Sequence, residues 1–322
     1  MDQTVTKDDC CTASETRDDN YDLIVVGAGS AGFSASITAA DAGKRVALIG
    51  HGTTGGTCVN VGCVPSKAMI RAAEAVHGGA SAARFPGVEP CDHAVDWGAV
   101  VQGTTDLVEE MRHKKYIDLL PAYKSVTYIE DGPARLVEGG VAVGGRVISA
   151  PRVLIATGSR PHLPAIEGID TVEPLDSTDL LTLPDRPESI LVLGGGYIGC
   201  ELAQMASRLG VKVTLVTRSR LLPGAEPEVA QALTQALKAE DIAVETGLAY
   251  VSVAKAAGGV SLTVERGGKT EDLTAERLVV TTGRIANSEN LGLEELGIET
   301  DARGSIKVGQ DMATTRAGVW AA

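Results

Sequence analysis

Two cysteines and a lysine are the side chains in this sequence best placed for redox chemistry. Cys58 and Cys63 lie five positions apart, and Lys67 follows four positions later, in the run Gly55-Gly-Thr-Cys-Val-Asn-Val-Gly-Cys-Val-Pro-Ser-Lys67. Cytosolic thiols stay reduced, so such a pair favours a couple that cycles between dithiol and disulfide over a structural crosslink. Lys67 lies one helical turn beyond Cys63 and could stabilise a thiolate there.

The spacing of the two cysteines sets a condition on the backbone between them. Five residues of regular helix rise about 7.5 Å, which exceeds the roughly 7 Å limit on the Cα separation of a disulfide. A bond between Cys58 and Cys63 therefore requires a tightened or bent segment, and Gly62 and Pro65 allow one. A strained, accessible disulfide is more easily reduced than a relaxed one.

A strand and a glycine loop upstream must position this pair. The apolar run at 21–26 predicts a buried strand, Gly27-Ala-Gly-Ser-Ala-Gly32 follows it, and then come a predicted helix over 31–42 and a strand over 45–49. In this context a G-x-G-x-x-G motif binds a dinucleotide, with its pyrophosphate at the helix N-terminus. The candidate contacts are Gly27, Gly29, Ser30 and Gly32.

One expected residue of this motif is missing. An acidic residue that holds a ribose is expected about 20 positions on, and Gly50 and His51 stand there instead. We expect the ribose contact to come from His51 or from backbone. Gly56 and Thr57, in the glycine-rich stretch before Cys58, are further candidate contacts.

The same pattern recurs in the second half of the chain. A predicted strand over 189–193 runs into Gly194-Gly-Gly-Tyr-Ile-Gly199, followed by a helix over 200–209 and a strand over 211–217. That strand ends beside Arg218 and Arg220 rather than an acid, which favours the 2′-phosphate of NADP; solvated surface arginines are the alternative. The candidate contacts in the loop are Gly194, Gly196, Tyr197, Ile198 and Gly199.

Two dinucleotide motifs imply two cofactors. The first motif is followed by the cysteine pair, and a flavin can take a hydride from a nicotinamide and pass electrons to sulfur. We therefore assign FAD to the first site and NADPH to the second.

Composition narrows the classes of function. The chain has 322 residues and 44% hydrophobic residues, which suggests two domains with real cores. Its net charge of −13 argues against nucleic-acid binding. It has no apolar run long enough to span a membrane and no secretion signal, so we expect no membrane partner and a cytoplasmic location.

The remaining cysteines and the N-terminus carry weaker signals. Residues 1–20 are polar and are expected to form a disordered tail. Cys10 and Cys11 in that tail could capture a soft metal ion, or be two incidental thiols. Cys91 and Cys200 are expected to be packing residues.

Taken together, the motifs resemble those of the class I pyridine nucleotide–disulfide oxidoreductases, over essentially residues 21–322. Besides the two glycine motifs and the cysteine run, the resemblance rests on Ala156-Thr-Gly-Ser-Arg-Pro161, Glu201 and Thr282-Gly-Arg284. It implies an α/β fold with two doubly wound, Rossmann-like dinucleotide-binding domains, the second inserted into the first. The implied order is an FAD-binding part at 21–186, an NADPH-binding domain at 187–284 and a return to the FAD domain at 285–322.

The resemblance also implies roles for individual residues. Cys63 would be the thiol nearest the flavin, Cys58 the one that meets substrate, and Lys67 and Glu201 an ion pair beside the flavin's reactive nitrogen. The remaining implied flavin contacts and crossing points between the nucleotide domains are Gly132, Ala134, Thr157, Gly158, Ser159 and Gly283.

The substrate is expected to be Hg(II), held transiently by Cys58 and Cys63. The valines around these cysteines and the stretch at 107–120 resemble the family members that reduce Hg(II) to Hg(0) with NADPH. Dihydrolipoyl dehydrogenase or another reductase of small disulfides is the enzyme alternative, and an inactive nucleotide- or metal-binding fragment is the non-enzyme alternative. The resemblance implies that the full-length protein is a homodimer, and we expect this sequence to stop before the family's C-terminal dimerisation domain.

Overall fold

The structure is a computed structural model that describes residues 20–322. Residues 1–19 of the predicted tail, with Cys10 and Cys11, lie outside the described residues, whereas Asn20 forms a β-bridge with Ser149. The predicted α/β fold with parallel sheets is confirmed.

The regular elements are named in chain order. The helices are α1 (Ser30–Asp41), α2 (Gly56–Asn60), α3 (Cys63–Ala80), α4 (Trp97–Lys115), α5 (Ser177–Thr182), α6 (Tyr197–Arg208) and α7 (Pro227–Ala239). The strands are β1 (Leu23–Val26), β2 (Val46–Ile49), β3 (Val126–Ile129), β4 (Arg135–Val137), β5 (Gly140–Val143), β6 (Arg146–Ser149), β7 (Val153–Ile155), β8 (Ser159–Pro161), β9 (Ser189–Leu193), β10 (Lys212–Val216), β11 (Ala243–Glu245), β12 (Ala249–Ala256), β13 (Gly259–Arg266), β14 (Lys269–Ala275), β15 (Arg277–Val280), β16 (Arg284–Ala286) and β17 (Val319–Ala321).

Two parallel sheets carry the two glycine loops. The first has the order β17-β7-β1-β2-β3, and the second has the order β11-β10-β9-β15. Their central strands are continuous apolar runs with buried side chains, as expected for sheets covered on both faces. β17 pairs with β7, so the second sheet is inserted in sequence between two strands of the first.

The chain passes between the sheets through a short antiparallel pair. β8 leaves the first sheet and β16 returns to it, with Ile285 opposite Arg160. The predicted crossing segments, at 156–158 and 282–284, lie at or beside these two strands. The domain limits at 186 and 284 remain predictions.

The helix that carries Cys63 packs against the second sheet's own helix. Met69 and Ala73 of α3 share one buried core with Leu202 and Met205 of α6. Trp97 of α4 joins the same core, and its indole Nε1 donates to the Leu183 carbonyl at 2.8 Å. The two nucleotide-binding units are therefore joined by apolar packing and not by the crossing strands alone.

Several boundaries predicted from the sequence were displaced. The sequence predicts a helix over 104–120. The structure has α4 there instead, and this helix starts earlier because the Asp96 side chain accepts from the Ala99 N–H at 3.0 Å. α6 begins at Tyr197 rather than at 200. Cys200 is buried, as predicted, whereas the packing role expected for Cys91 was wrong because its side chain is exposed. Across the described residues, no helix has the length and apolarity needed to cross a membrane.

Close backbone contacts explain the glycines at the ends of β1 and β9. Gly27 has a positive φ of 117°, and a Cβ there would lie 2.2 Å from the Ala156 carbonyl oxygen. A Cβ on Gly32 would lie 1.8 Å from the Gly27 carbonyl oxygen, and one on Gly199 would lie 2.0 Å from that of Gly194. Gly32 and Gly199 let their helices pack closely against the loop before them, and Gly27 lets the end of β1 approach the residue that follows β7.

This packing predicts that Gly32→Ala destabilises the chain by about 1–3 kcal/mol, the usual cost of overpacking. Gly78→Ala in α3 is the matched control, since a Cβ there meets no atom of residues 20–322 within 4 Å. Removing a mid-helix glycine at that position is expected to stabilise by about 0.5–1 kcal/mol. Urea unfolding measures both changes, and equal effects would contradict this account.

Candidate active site

A cavity of about 660 Å³ lies beside the first glycine loop. It is bounded by the ends of β1, β2 and β7 and by segments at 51–58, 133–134 and 287–291. The sequence-predicted residues that line it are Gly27, Gly29, Ser30, His51, Gly56, Thr57, Cys58, Ala134, Thr157, Gly158 and Ser159. Gly32, Gly50, Gly132, Cys63 and Lys67 were predicted for the same site and do not line this cavity.

The two glycine-rich segments meet backbone to backbone at this cavity. The Gly55 N–H donates to the Ala28 carbonyl at 2.8 Å, and a Cβ on Gly56 would lie 2.6 Å from the Gly29 Cα. Ser30 Oγ and Tyr116 Oη form a hydrogen bond of 3.0 Å beside them. This contact holds the cysteine-bearing segment against the dinucleotide loop.

The backbone bends between the two cysteines, which meets the condition that their spacing sets for a disulfide. Cys58 lies in α2, which ends at Asn60, and Cys63 is the first residue of α3. The break falls at Val61 and Gly62, where a Cβ on the glycine would lie 2.9 Å from the Thr57 carbonyl oxygen. Neither thiol is bonded to another cysteine of the described residues, and both side chains are exposed.

The two thiols interact directly. Desolvation raises the pKa of the Cys58 thiol, and its hydrogen bond with Cys63 raises it further, while the charge of Lys115 pulls it down. Cys58 is therefore a neutral thiol at neutral pH, and it requires proton release to become a metal ligand or nucleophile.

Lys67 and Glu201 form an ion pair between α3 and α6. Lys67 Nζ lies 2.5 Å from Glu201 Oε2, and both side chains are about half exposed, at 55% and 46%. An ion pair this exposed contributes little to stability, at most about 1 kcal/mol. The ion pair places one positive and one negative charge between α3, which begins at Cys63, and α6, which follows the second glycine loop.

Both nucleotide loops present helix ends suited to a pyrophosphate. In the described chain, no side chain caps α1 at Gly29 or α6 at Gly196, so their first backbone N–H groups are left for another acceptor. A Cβ on Gly194 would lie 2.6 Å from the Thr281 carbonyl oxygen, the same close contact as in the first loop. The chain's own backbone thus fits a dinucleotide at each loop.

The side chains around the second glycine loop differ in their exposure and in their hydrogen-bond partners. Tyr197 and Ile198 are exposed at the start of α6, and Gly283 has a positive φ of 132° beyond the end of β15. Arg220 Nη2 donates to the carbonyls of Pro223 and Ala225 at 3.0 and 2.7 Å, whereas Arg218 is exposed. Nη1 of Arg220 is buried and has no hydrogen-bond partner among residues 20–322.

Sequence reasoning missed several residues of the cavity. Thr54 and Tyr128 line it, and so do Asn287 and Glu289 from the return segment. Glu289 pairs with Arg160 at 2.8 Å, and Asn287 Nδ2 donates to the Thr157 carbonyl at 2.9 Å. Thr54 and Tyr128 are 74 positions apart in the chain, and no short motif marks such a contact.

The cavity, the two glycine loops and the cysteine pair agree with a comparison against protein families. The model of the pyridine nucleotide-disulphide oxidoreductase family matches residues 21–322. The chain belongs to that family. Pyridine nucleotide-disulphide oxidoreductases are FAD-dependent and use NAD(P)H.

Individual members of the family are similar over most of this chain. A mercuric reductase of Streptomyces lividans is 40% identical over 310 residues, 94% of this chain and 65% of its own length. Dihydrolipoyl dehydrogenase 3 of Pseudomonas putida is 34% identical and covers 94% of this chain and 66% of its own length.

A solved structure matches the fold. The copper(II) complex of the HOCl-induced flavoprotein disulfide reductase RclA from Escherichia coli has a TM-score of 0.79 and 28% identity, and covers 93% of this chain and 65% of its own. The chain thus spans about two thirds of the length of these three proteins. Within residues 20–322, no group of three or more His, Cys, Asp and Glu side chains could hold a metal ion.

The raised pKa of Cys58 predicts how its reactivity depends on pH. The alkylation rate follows the thiolate fraction, so in the dithiol form the rate at Cys58 should keep rising above about pH 8.5, the ordinary pKa of a thiol. Lys115→Gln removes a charge that lowers this pKa and should move the profile to higher pH. Lys114→Gln, whose ammonium pairs with Glu110 instead, is the control.

Site-resolved mass spectrometry after iodoacetamide treatment measures these rates. A profile for Cys58 that levels off below about pH 8.5, or an equal shift in both lysine variants, would contradict this account of its environment.

Proposed function

We propose that the protein containing this chain is an NADPH-dependent flavoprotein that reduces Hg(II) to Hg(0) through Cys58 and Cys63. The observation that carries the proposal is the position of Cys58. It lines the cavity of the first dinucleotide loop while its thiol contacts Cys63. The choice of Hg(II) as the substrate is supported by the similarity to a protein named mercuric reductase.

The cysteine pair would bind the substrate. Hg(II) is a soft ion, and thiolates are the ligands that soft ions prefer. Cys58 and Cys63 would each lose a proton and hold the ion between two sulfurs. The balanced reaction consumes one NADPH and one Hg(II) and yields NADP⁺, a proton and Hg(0), because a hydride carries the two electrons that the ion needs.

Bound FAD would supply the two-electron step between the nicotinamide and sulfur. The chain's own groups would position it, with Gly27, Gly29 and Ser30 at its pyrophosphate and Ala134 at its adenosine half. Lys67 would hold a positive charge, balanced by Glu201, near its reactive ring. The resemblance to the family implies that Cys63 is on the flavin side and Cys58 on the substrate side, and we adopt that assignment, although Cys58 is the one of the two that lines the cavity.

The second loop would bind NADPH. Arg218 is exposed and is the better candidate for the 2′-phosphate, since Arg220 already donates to two carbonyls of its own loop. Gly194, Gly196 and Gly199 would admit the pyrophosphate, and Tyr197 and Ile198 would flank it. We take the whole protein to be a cytoplasmic homodimer.

The similarity to dihydrolipoyl dehydrogenase 3 makes a small organic disulfide the second candidate substrate. The same cysteine pair would then exchange with a small organic disulfide. An inactive nucleotide-binding fragment is the remaining alternative for the chain as given, and it predicts no turnover with either substrate.

The test compares NADPH oxidation by the purified, FAD-loaded chain with Hg(II) and with lipoamide. We expect Hg(II)-dependent oxidation that falls by at least about 100-fold in Cys58→Ser and in Cys63→Ser, because each variant removes one of two required sulfurs. Cys91→Ser, which removes an exposed thiol outside the site, should keep full activity.

Faster turnover with lipoamide would favour the second candidate. Activity with neither substrate would leave this chain without the proposed function.

A further inference from the structure

The position where this fold usually presents a carboxylate to ribose is built differently in this chain. β2 ends at Ile49, and Gly50 stands where an acidic residue is expected. A Cβ on Gly50 would lie 2.3 Å from Tyr128 Oη and 2.8 Å from two carbons of the same ring. The ring of Tyr128 therefore occupies the volume that an acidic side chain at position 50 would need.

Tyr128 connects this position to a carboxylate on the neighbouring strand. β3 runs parallel to β2, with Tyr128 opposite Leu48, and Glu130 follows the last residue of β3. Tyr128 Oη donates to Glu130 Oε1 at 2.9 Å. A carboxylate therefore lies beside this position on the adjacent strand, and the phenol of Tyr128 lies between it and Gly50.

The direction of the hydrogen bonds follows from counting protons. Thr54 Oγ1 lies 2.7 Å from Tyr128 Oη. A phenol has one proton, and an ionised carboxylate accepts only, so Tyr128 gives its proton to Glu130 and Thr54 must be the donor to Tyr128. Burial raises the pKa of Tyr128 to about 12, with Glu130 adding to the shift, so the phenol keeps that proton.

This order leaves Thr54 Oγ1 as a hydrogen-bond acceptor at the cavity. Thr54 and Tyr128 both line the cavity, beside His51 and Ala134. The charge of Glu130 polarises the two hydroxyls and strengthens the acceptor at the end of the chain. The arrangement presents to a ligand what a carboxylate would present, an electron-rich oxygen.

The backbone around Thr54 is fixed by Asn60. The Asn60 side-chain amide donates to the carbonyls of Thr54 and Gly56, each at 2.9 Å. An acceptor on a segment held in this way loses little entropy when a ligand binds.

We propose that Thr54, Tyr128 and Glu130 together replace the carboxylate missing at Gly50. Thr54 Oγ1 accepts a hydrogen bond from a ribose hydroxyl in the adenosine half of FAD. Thr54 is the binding residue, and Tyr128 and Glu130 position and polarise it. The inference rests on the proposed function, because it takes FAD to bind in this cavity.

The test removes the hydroxyl of Thr54 from the protein and, separately, the ribose hydroxyls from the ligand. Flavin-free 322-residue chain and its Thr54→Val variant are titrated with FAD and with an FAD analogue whose adenosine ribose lacks its hydroxyls. We expect the wild type to bind FAD about tenfold more tightly than the analogue, as for a hydrogen bond polarised by a charge. Thr54→Val should lose about tenfold in FAD affinity and bind both ligands alike.

Two further variants separate this role from a general effect on the fold. Tyr128→Phe breaks the relay and should weaken FAD binding, while adding it to Thr54→Val should cost little more, since both act on one contact. Thr127→Val makes the same change at an exposed position of β3 and should leave both affinities unchanged.

The outcomes are distinguishable. The inference is overturned if Thr54→Val binds FAD like the wild type or still discriminates tenfold between the two ligands. A wild-type chain that binds neither ligand overturns the proposed function, and this inference with it.

Discussion

The close contact between two glycine backbones is the constraint on which the site depends. Gly56 packs against the Gly29 Cα, and a side chain at position 56 would collide there. This contact brings the first turn of α2, and with it Cys58, to the loop at the end of β1. The same contact puts the cysteine-bearing segment and the first glycine loop on one cavity.

The second constraint is the packing of α3 on α6. It joins the cysteine segment to the second nucleotide loop through a buried apolar core and brings Lys67 to Glu201 at its rim. The exposed ion pair adds little to stability. Apolar packing therefore sets the position of α3 relative to α6, and the ion pair forms between side chains that this packing brings together. This division explains how two glycine loops far apart in sequence are both joined to the helix that begins at Cys63.

Local patterns predicted much of this arrangement. The sequence predicted both glycine loops and the strands before them, and it showed that Gly62 allows a bend, because each of these features depends on residues close in sequence. Boundaries set by single caps were predicted less accurately: α4 begins at Trp97, after its Asp96 cap, and not at the predicted residue 104. Contacts between distant segments were not readable. In the sequence, Gly50 only marks the absence of an acidic residue. The structure explains the glycine, because the pairing of β2 with β3 puts the ring of Tyr128 where a side chain at position 50 would lie.

In the proposed function, Cys58, Cys63 and one bound flavin form a single electron path. Anaerobic titration of the FAD-loaded, oxidised chain with dithionite tests it directly. The account predicts an uptake of about four electrons per chain, two by the flavin and two by the disulfide, falling to about two in Cys63→Ser. An uptake of about two electrons by the wild-type chain would contradict it, because the cysteines would then stand outside the path.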